Sequence, residues 1–400
     1  MNKLEIYCDL LDPDKSSEFA VPLKFIEALS RNFIISITTF RRENNERTIS
    51  EWLAKARLND VRVQYYDFVF SRPTGLRANK LLLILDTIWG QVRFFRSVPD
   101  TSVVAKIGMV HFLFNIVPLL FKRRRLILGP ISGFELVNLK ASFRHLRLRS
   151  WIYYVFMNAF ILLGTVIFRG LLCFNKSVAL ICATSIDRRR ILQWAHSSTR
   201  VFQVSEISIF FPEHVAPRKS NTVVWSGAMI PRKAPLLAVS IIAEVLRRSK
   251  DSDAIFIGDG ELKNRTETAV AQLGSDIAQR IKFCGAVSPD MSRKVIASSS
   301  VLLVTSWREV NSFVVFEAMA SNTKVVSMAI SGMQDVVFMF GNVVDPNGSL
   351  IPEFADAVYH TLEDLVISDE QFKEVRAKVQ RDEANEFQAL IAWVEDGGIS

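Results

Sequence analysis

The chain has 400 residues, of which 49% are apolar and 22% charged, with 17 glycines and 13 prolines; this excludes a disordered chain or a collagen-like or low-complexity fibre and is enough for two or three domains. Lys and Arg outnumber Asp and Glu 49 to 41, a net charge of +8, which favours an anionic partner such as phosphate, acidic lipid or nucleic acid. The last lacks the aromatic interleaving or recognised module it would need, and Cys8, Cys173, Cys182 and Cys284 lack the paired spacing of a disulfide framework or zinc site, which points to a reducing compartment.

The first apolar run, Leu4–Leu10, carries Glu5 and Asp9 and no small-residue cleavage site, so it reads as a strand and not as a secretory signal. The expected location is therefore cytoplasmic. A helix over 18–31 follows, then a strand over 33–39, a helix over 48–56, a strand over 61–66, a helix over 76–95 and a strand over 102–105. Further strands are expected at 125–128, 179–184 and 200–204, with a helix over 186–195. The polar, proline-bearing stretch 211–220 reads as a linker. Beyond it strands at 222–226, 254–257, 281–283, 301–305 and 324–328 alternate with helices over 235–249, 261–273, 289–298 and 312–321. Short apolar strands alternating with helices predict parallel sheets covered on both faces. The expectation is α/β: two doubly wound, Rossmann-like domains facing a central cleft. They are a first domain over 1–210, a linker over 211–220, a second domain over 221–385 and a C-terminal helix over 386–400 that could cross back to the first domain.

Greasiness is concentrated at Trp151–Phe168, 18 residues without a charge, preceded by the cations Arg144, Arg147 and Arg149. A second basic run is Lys122-Arg123-Arg124-Arg125. Eighteen residues lie at the lower limit for crossing a bilayer, and Ser150, Tyr154, Asn158, Thr165 and Arg169 fall within about 100° on a helical wheel. Three readings stay open: a core helix, an interfacial helix on an anionic inner leaflet, or a span.

The second half carries chemistry. Gly227 ends a strand ahead of Arg232 and Lys233, where a tight turn, amides and cations could hold phosphate. The next strand ends in Gly258-Asp259-Gly260. In the segment from Ser306 to Ala320, Glu309 and Glu317 stand with seven residues between them, one on the loop after a strand and one on the following helix. The five histidines, His111, His145, His196, His214 and His360, form no cluster with metal-ligand spacing.

In order, these pieces resemble the E-x7-E signature of the retaining glycosyltransferases of the GT-B fold, family 4 (group 1). The resemblance covers roughly 223–344 and includes Phe283-Cys284-Gly285 and Ser331-Gly332-Met333-Gln334-Asp335. In the first half, Leu128-Gly129-Pro130-Ile131-Ser132-Gly133 resembles the Gly-Pro-x-Gly-Gly loop of bacterial polysaccharide transferases.

The resemblance implies that Glu309 sits near the donor sugar hydroxyls and that Glu317 binds the nucleotide ribose. It implies that Lys233, with Arg232 and Gly227, holds the diphosphate, that the amides of Asn311, Ser312 and Phe313 complete the anion site, and that Cys284 and Gly285 lie beside the nucleobase. Gly129, Ser132, Gly133 and His111 would be acceptor-side. The implied reaction moves a sugar from a UDP- or GDP-sugar to a glycan or lipid-linked glycan in surface polysaccharide synthesis. Configuration is retained, no metal or cofactor takes part, and the enzyme is peripheral on the inner face of the cell membrane. The sequence has Ala228 where the pattern has an arginine, and Val310-Asn311-Ser312 where it has Gly-Phe-Gly. The other readings are a non-catalytic nucleotide- or glycan-binding subunit of the same fold and a sugar-nucleotide epimerase.

Overall fold

The computed structural model describes residues 3–9, 11–13, 21–42, 44–71, 80–100, 102–108, 111–121, 125–143, 146, 148–175, 177–182, 184–196, 198–204, 221–309, 312–329, 337, 341–363 and 369–395. The 211–220 stretch, Lys122–Arg124, Arg144 and Arg147 lie outside them, as does the Ser331–Asp335 motif. The chain divides into two compact units. The first comprises Met1–Phe134, Ile161–Glu206 and Arg381–Ser400; the second comprises Glu135–Phe160 and Ile207–Gln380.

In the first unit seven strands, β1 (Lys3–Cys8), β2 (Ile34–Phe40), β3 (Arg62–Tyr66), β4 (Val103–Ile107), β5 (Arg125–Ile131), β6 (Val178–Cys182) and β7 (Arg200–Gln203), form one sheet in the order β3-β2-β1-β4-β5-β6-β7. Every pairing is parallel. The apolar runs explain this: Leu4, Ile6 and Tyr7 of β1 and Leu126, Ile127 and Leu128 of β5 are buried on both faces of the sheet. Strand β5 runs three residues beyond the expected 125–128, because its pairing with β6 shifts register between Leu128 and Ile131 and resumes at Cys182.

One face of this sheet carries a core of Tyr7, Val104, Leu128 and Leu180 packed with Phe94 and Phe95 of the helix Lys80–Ser97, Phe112, and Ile161, Phe168 and Leu172 of the helix Leu148–Phe174. Phe112 belongs to a short helical segment, Phe112–Leu119, that the hydrophobic pattern did not announce. At the switch point between β1 and β4, Lys106 and Asp9 form a fully buried ion pair at 2.5 Å, and Gln91 Nε2 donates to Asp9 Oδ1 at 3.0 Å. The last part of the helix Asp369–Glu395 completes this unit: Leu390, Ile391 and Val394 are buried, Phe387 packs on Phe25, and Glu386 accepts from the Gln203 amide and pairs with Arg188.

The second unit has six parallel strands, β8 (Thr222–Ser226), β9 (Asp253–Ile257), β10 (Ile281–Gly285), β11 (Val301–Val304), β12 (Lys324–Met328) and β13 (Gly341–Val344), in the order β10-β9-β8-β11-β12-β13. The helix Pro235–Arg248 lays Leu237, Ile241, Ile242 and Val245 on one face, sharing a core with Trp225, Phe256 and Phe354. Phe316 and Met319 of the helix Phe313–Ala320 cover the other with Leu302 and Val304. Asn158 ties its part of the long apolar helix to this unit, accepting from the Val137 amide at 3.0 Å and donating to its carbonyl at 2.9 Å.

Among the described residues one helix, Leu148–Phe174, is long and apolar enough to cross a membrane; in its most apolar window the mean hydropathy is 2.0 and 28% of the residues are buried. Its polar side chains turn inward at Tyr154 and Asn158, while Phe156, Phe160, Leu162, Leu163 and Val166 are exposed.

Candidate active site

The switch point of the second sheet lies between β8 and β11, and their carboxyl ends carry the two segments singled out in the sequence. Crevices of this kind are where open α/β sheets bind ligands. After β8 the chain turns at Gly227 and enters the short helical turn Pro231–Lys233, which ends on Ala234 in the left-handed conformation, φ 50°. The neighbouring β9 turn is locked against it. The Gly227 amide donates to Ile257 O at 3.0 Å, and the Met229 amide donates to Asp259 O at 2.8 Å. A Cβ on Gly258, whose φ is +130°, would lie 1.9 Å from the Gly227 carbonyl oxygen, so only glycine lets these two turns close.

The loop after β11 is stitched to the same turn. The Trp307 amide donates to Arg232 O at 2.9 Å, Arg232 Nη1 donates to Arg308 O at 2.9 Å, and Thr305 Oγ1 donates to Lys233 O at 2.9 Å. These bonds bring Glu309 onto the cations. Lys233 Nζ donates to Glu309 Oε1, and Arg232 Nη1 lies 3.3 Å from the same oxygen. Glu309 is only 4% exposed, so the ion pairs are what make its burial tolerable. An incoming diphosphate, with more charge than one carboxylate, could compete for both cations at this edge.

Glu317 lies elsewhere on the same layer. It sits in the helix Phe313–Ala320, and its partner is Arg293 of the neighbouring helix Pro289–Ser298, with Nη1 to Oε1 at 3.5 Å. Burial raises its carboxyl above the usual range, and the Arg293 guanidinium offsets only part of this. Ser312 stands at the start of that helix, buried and in extended conformation, and Phe313 is the first helical residue. Asn311 lies outside the described residues. Cys284 and Gly285 end the edge strand β10, where the Gly285 carbonyl accepts from the Gly258 amide at 2.8 Å and Cys284 is exposed. The structure thus joins Gly227, Arg232, Lys233 and Glu309 directly, reaches Gly285 through Gly258, and gives Glu317 a separate cationic partner.

Sequence reasoning missed a third cation. Arg308, beside Glu309, is half-buried; desolvation lowers its guanidinium, buried Glu135 opposes that shift, and Arg232 reinforces it. Tyr154 belongs to the same cluster: burial pushes its hydroxyl up to about 12, against the pull of Arg232 and Arg308. A signal existed, since Arg308 directly precedes the first carboxylate of the motif in a chain that carries Ala228 in place of a cation. Among the described residues no group of three His, Cys, Asp or Glu is placed to hold a metal ion.

In the first unit, His111, Ser132 and Gly133 come together beyond β4 and β5. His111 bridges to Ser132 in parallel register, the Phe112 amide donates to Ser132 O at 2.9 Å, and a Cβ on Gly133 would lie 2.6 Å from the His111 ring. Gly129 is not in this loop but inside β5, where its missing side chain leaves room for the Ile181 carbonyl.

Residues 220–364 match the family described as glycosyl transferases group 1. Among curated proteins, the chain is 29% identical over 122 residues to the 2-deoxystreptamine glucosyltransferase of Streptomyces kanamyceticus, covering 30% of this chain and 31% of that protein. It is 28% identical over 156 residues to the D-inositol 3-phosphate glycosyltransferase of Corynebacterium diphtheriae, covering 37% and 36%. The chain thus spans about a third of the length of the curated relatives it matches. Whole-chain similarity appears in three dimensions. The Anabaena protein Alr3699/HepE in complex with UDP superposes with a TM-score of 0.63 at 14% identity, over 98% of this chain and all of that one. A mutant of Staphylococcus aureus TarM, in complex with fondaparinux, α-GlcNAc-glycerol and UDP, gives 0.63 at 12% identity, over the whole of both chains. The fold is therefore that of the GT-B glycosyltransferases, as the alternation of strands and helices and the motif order led one to expect.

Proposed function

We propose that this chain is a retaining glycosyltransferase that moves a sugar from a nucleoside-diphosphate sugar, UDP- or GDP-linked, to a glycan or lipid-linked glycan during surface polysaccharide synthesis. The observation that carries the reading is the buried Glu309 carboxylate held by Lys233 and Arg232 at the switch point of the second sheet, inside the segment that matches the group 1 family. In the reaction the bond between the anomeric carbon and the diphosphate oxygen breaks, with its electron pair leaving on the diphosphate. The acceptor hydroxyl forms the new bond to that carbon from the same face, and its proton passes to the departing phosphate. Charge develops on the diphosphate and on the anomeric carbon, so fixed cations and helix amides are the main catalytic need. Lys233, Arg232 and Arg308 would receive the diphosphate, Glu309 would turn to the donor sugar, and Glu317 would hold the ribose. His111, Ser132 and Gly133 would serve the acceptor. The enzyme would work at the cytoplasmic face of the membrane, held there by the outward apolar side of the helix Leu148–Phe174 and its neighbouring arginines.

The test is a panel of nucleotide sugars screened by thermal shift, since a ligand of the native state raises the melting temperature, followed by transfer assays with the donor that binds. Glu317→Ala should weaken donor binding. Lys233→Ala should lower turnover more than affinity, because a leaving-group contact strengthens in the transition state. Wild-type transfer rates in both variants would refute these assignments. Binding of nucleotide without transfer to any acceptor would favour a binding subunit instead.

A further inference from the structure

Over residues 81–91 the helix Lys80–Ser97 is inside out, whereas its last turns bury Phe94 and Phe95 in the core. A surface helix ordinarily buries its apolar stripe and shows polar residues to water. Here Asp86, Thr87 and Gln91 are buried, while Leu81, Ile84, Leu85, Ile88 and Trp89 are all more than 40% exposed. The inward polar groups are in use. Asp86 accepts from the backbone amides of Val69, Phe70 and Ser71 at 2.7, 2.9 and 2.7 Å. Gln91 donates to Asp9 and, at 3.1 Å, to Phe114 O. Gly90 lets the helix approach so closely that a Cβ there would lie 2.5 Å from Tyr7 and Phe40 atoms, which fixes the rotation of the helix on the sheet. The apolar face is thus held outward by the interior. The loop that Asp86 holds also shows apolar side chains to solvent, since Val69 and Phe70 are 60% and 47% exposed.

We propose that this face is a membrane-docking surface, with the helix Lys80–Ser97 lying in the interfacial plane of an anionic bilayer and the Val69–Phe70 tip inserted beside it. It adds a second contact to the membrane reading made above for the helix Leu148–Phe174 and rests on it only in that one bilayer would receive both. The occupant follows from charge and continuity. The apolar stripe, about 12 Å long from Leu81 to Trp89, ends in exposed Arg93 and Arg96, with the Arg93 guanidinium 4.5 Å from the centre of the Tyr66 ring. An exposed tryptophan at the edge of an apolar stripe with arginines beyond it suits the boundary between acyl chains and anionic head groups. The exposed Leu162, Leu163, Val166 and Ile167 belong to the other helix covering the same face of the first sheet, with the Phe112–Leu119 segment sharing that layer.

The experiment is sedimentation of the full chain with vesicles of equal parts phosphatidylcholine and phosphatidylglycerol, and with phosphatidylcholine alone. Wild type should bind the anionic vesicles preferentially. I84E/I88E should bind them at least about tenfold more weakly, while L192E, a charge placed on an exposed leucine elsewhere in the first unit, should bind as wild type. Circular dichroism checks that the variants fold; should I84E/I88E not fold, R93Q/R96Q should bind anionic vesicles more weakly than wild type does. Wild-type binding by either folded variant overturns the proposal, as does failure of the wild type to bind, or a vesicle-free dimer that I84E/I88E dissociates. The assay needs no nucleotide, and thermal shift by the donor should be the same in I84E/I88E as in wild type, so this proposal and the donor-site reading fail separately.

Discussion

Arg308 is the residue on which the candidate site departs most from what its motif alone implies. Its half-buried guanidinium feels the charges of Glu135, Arg232, Tyr153 and Tyr154, and its carbonyl fixes Arg232. Ala228 stands where the group 1 pattern has an arginine, and Arg308 could supply that cation from the loop after β11. If it does so functionally, Arg308→Ala should lower transfer on the order of a hundredfold, the usual scale for removing one preorganised charge stabiliser. Arg308→Lys should recover part of the rate, and Ala228→Arg added to Arg308→Ala should recover more. Steady-state kinetics with the screened donor would show this, and an Arg308→Ala enzyme at full rate would return the residue to a packing role. At this scale the sequence was legible where spacing along the chain carries the chemistry. Glu309 and Glu317 are read from one interval, and Arg232 and Lys233 from one turn. It was not legible where pairing is purely spatial. Asp9 and Lys106 are far apart in sequence yet form a buried pair, and Glu317 finds Arg293 on a different helix.

At the scale of elements, the parallel strands could be read because runs such as Val-Ala-Leu-Ile-Cys (178–182) are buried throughout and no other environment accepts them so cheaply. The Lys80–Ser97 helix could be seen but not oriented. Its sequence is apolar on several sides, so periodicity does not reveal which side turns inward; the hydrogen-bonding capacity of Asp86 and Gln91 decides it. Burial alone would raise the Asp86 carboxyl, yet hydrogen bonds from Ser71, Phe70 and Val69 outweigh this and hold it below the usual range. The sign follows. A carboxyl whose pKa is lower in the folded protein contributes stability that is fully present above its unfolded pKa, about 4, and is lost as pH falls through its folded value. Asp86→Asn should therefore cost about 1–3 kcal/mol at neutral pH, in the range for buried hydrogen bonds to a charged acceptor. The difference in melting temperature from wild type should shrink as pH falls through the acid range. Hydrogen exchange should quicken first at Val69–Ser71. An Asp86→Asn protein as stable as wild type at neutral pH would show that the carboxylate does not hold the loop.

At the scale of the whole molecule, two features extend beyond single elements. The end of the helix Asp369–Glu395 is part of the first unit, so deleting residues 381–400 should remove the buried Leu390, Ile391 and Val394. At about 1.5–3 kcal/mol for each buried side chain, that loss rivals the stability of an ordinary domain, and the truncated chain should melt far below wild type or fail to accumulate in soluble form. The second feature is the long helix Leu148–Phe174, for which composition left core, interface and span all open. Its inner residues Ile161, Phe168 and Leu172 are almost wholly buried against the first sheet's core, Phe168 edge-on to Phe112 and to Phe134. To cross a bilayer the helix would have to leave that layer, exposing the apolar surface it covers at a cost of several kcal/mol. Lying along the interface, as proposed, it would keep these contacts and still bury Phe156, Leu163 and Val166 in lipid. An interfacial attachment has two components with different salt responses: the arginines are screened, because the Debye length is about 8 Å at physiological salt, while apolar burial is not. High salt should thus release only part of the protein from isolated membranes. Carbonate at high pH or mild detergent should release nearly all of it, and replacing Arg144, Arg147 and Arg149 by Gln should move the salt-released fraction into the soluble pool without lowering the melting temperature. Retention of the chain in the carbonate pellet would mean that the helix spans.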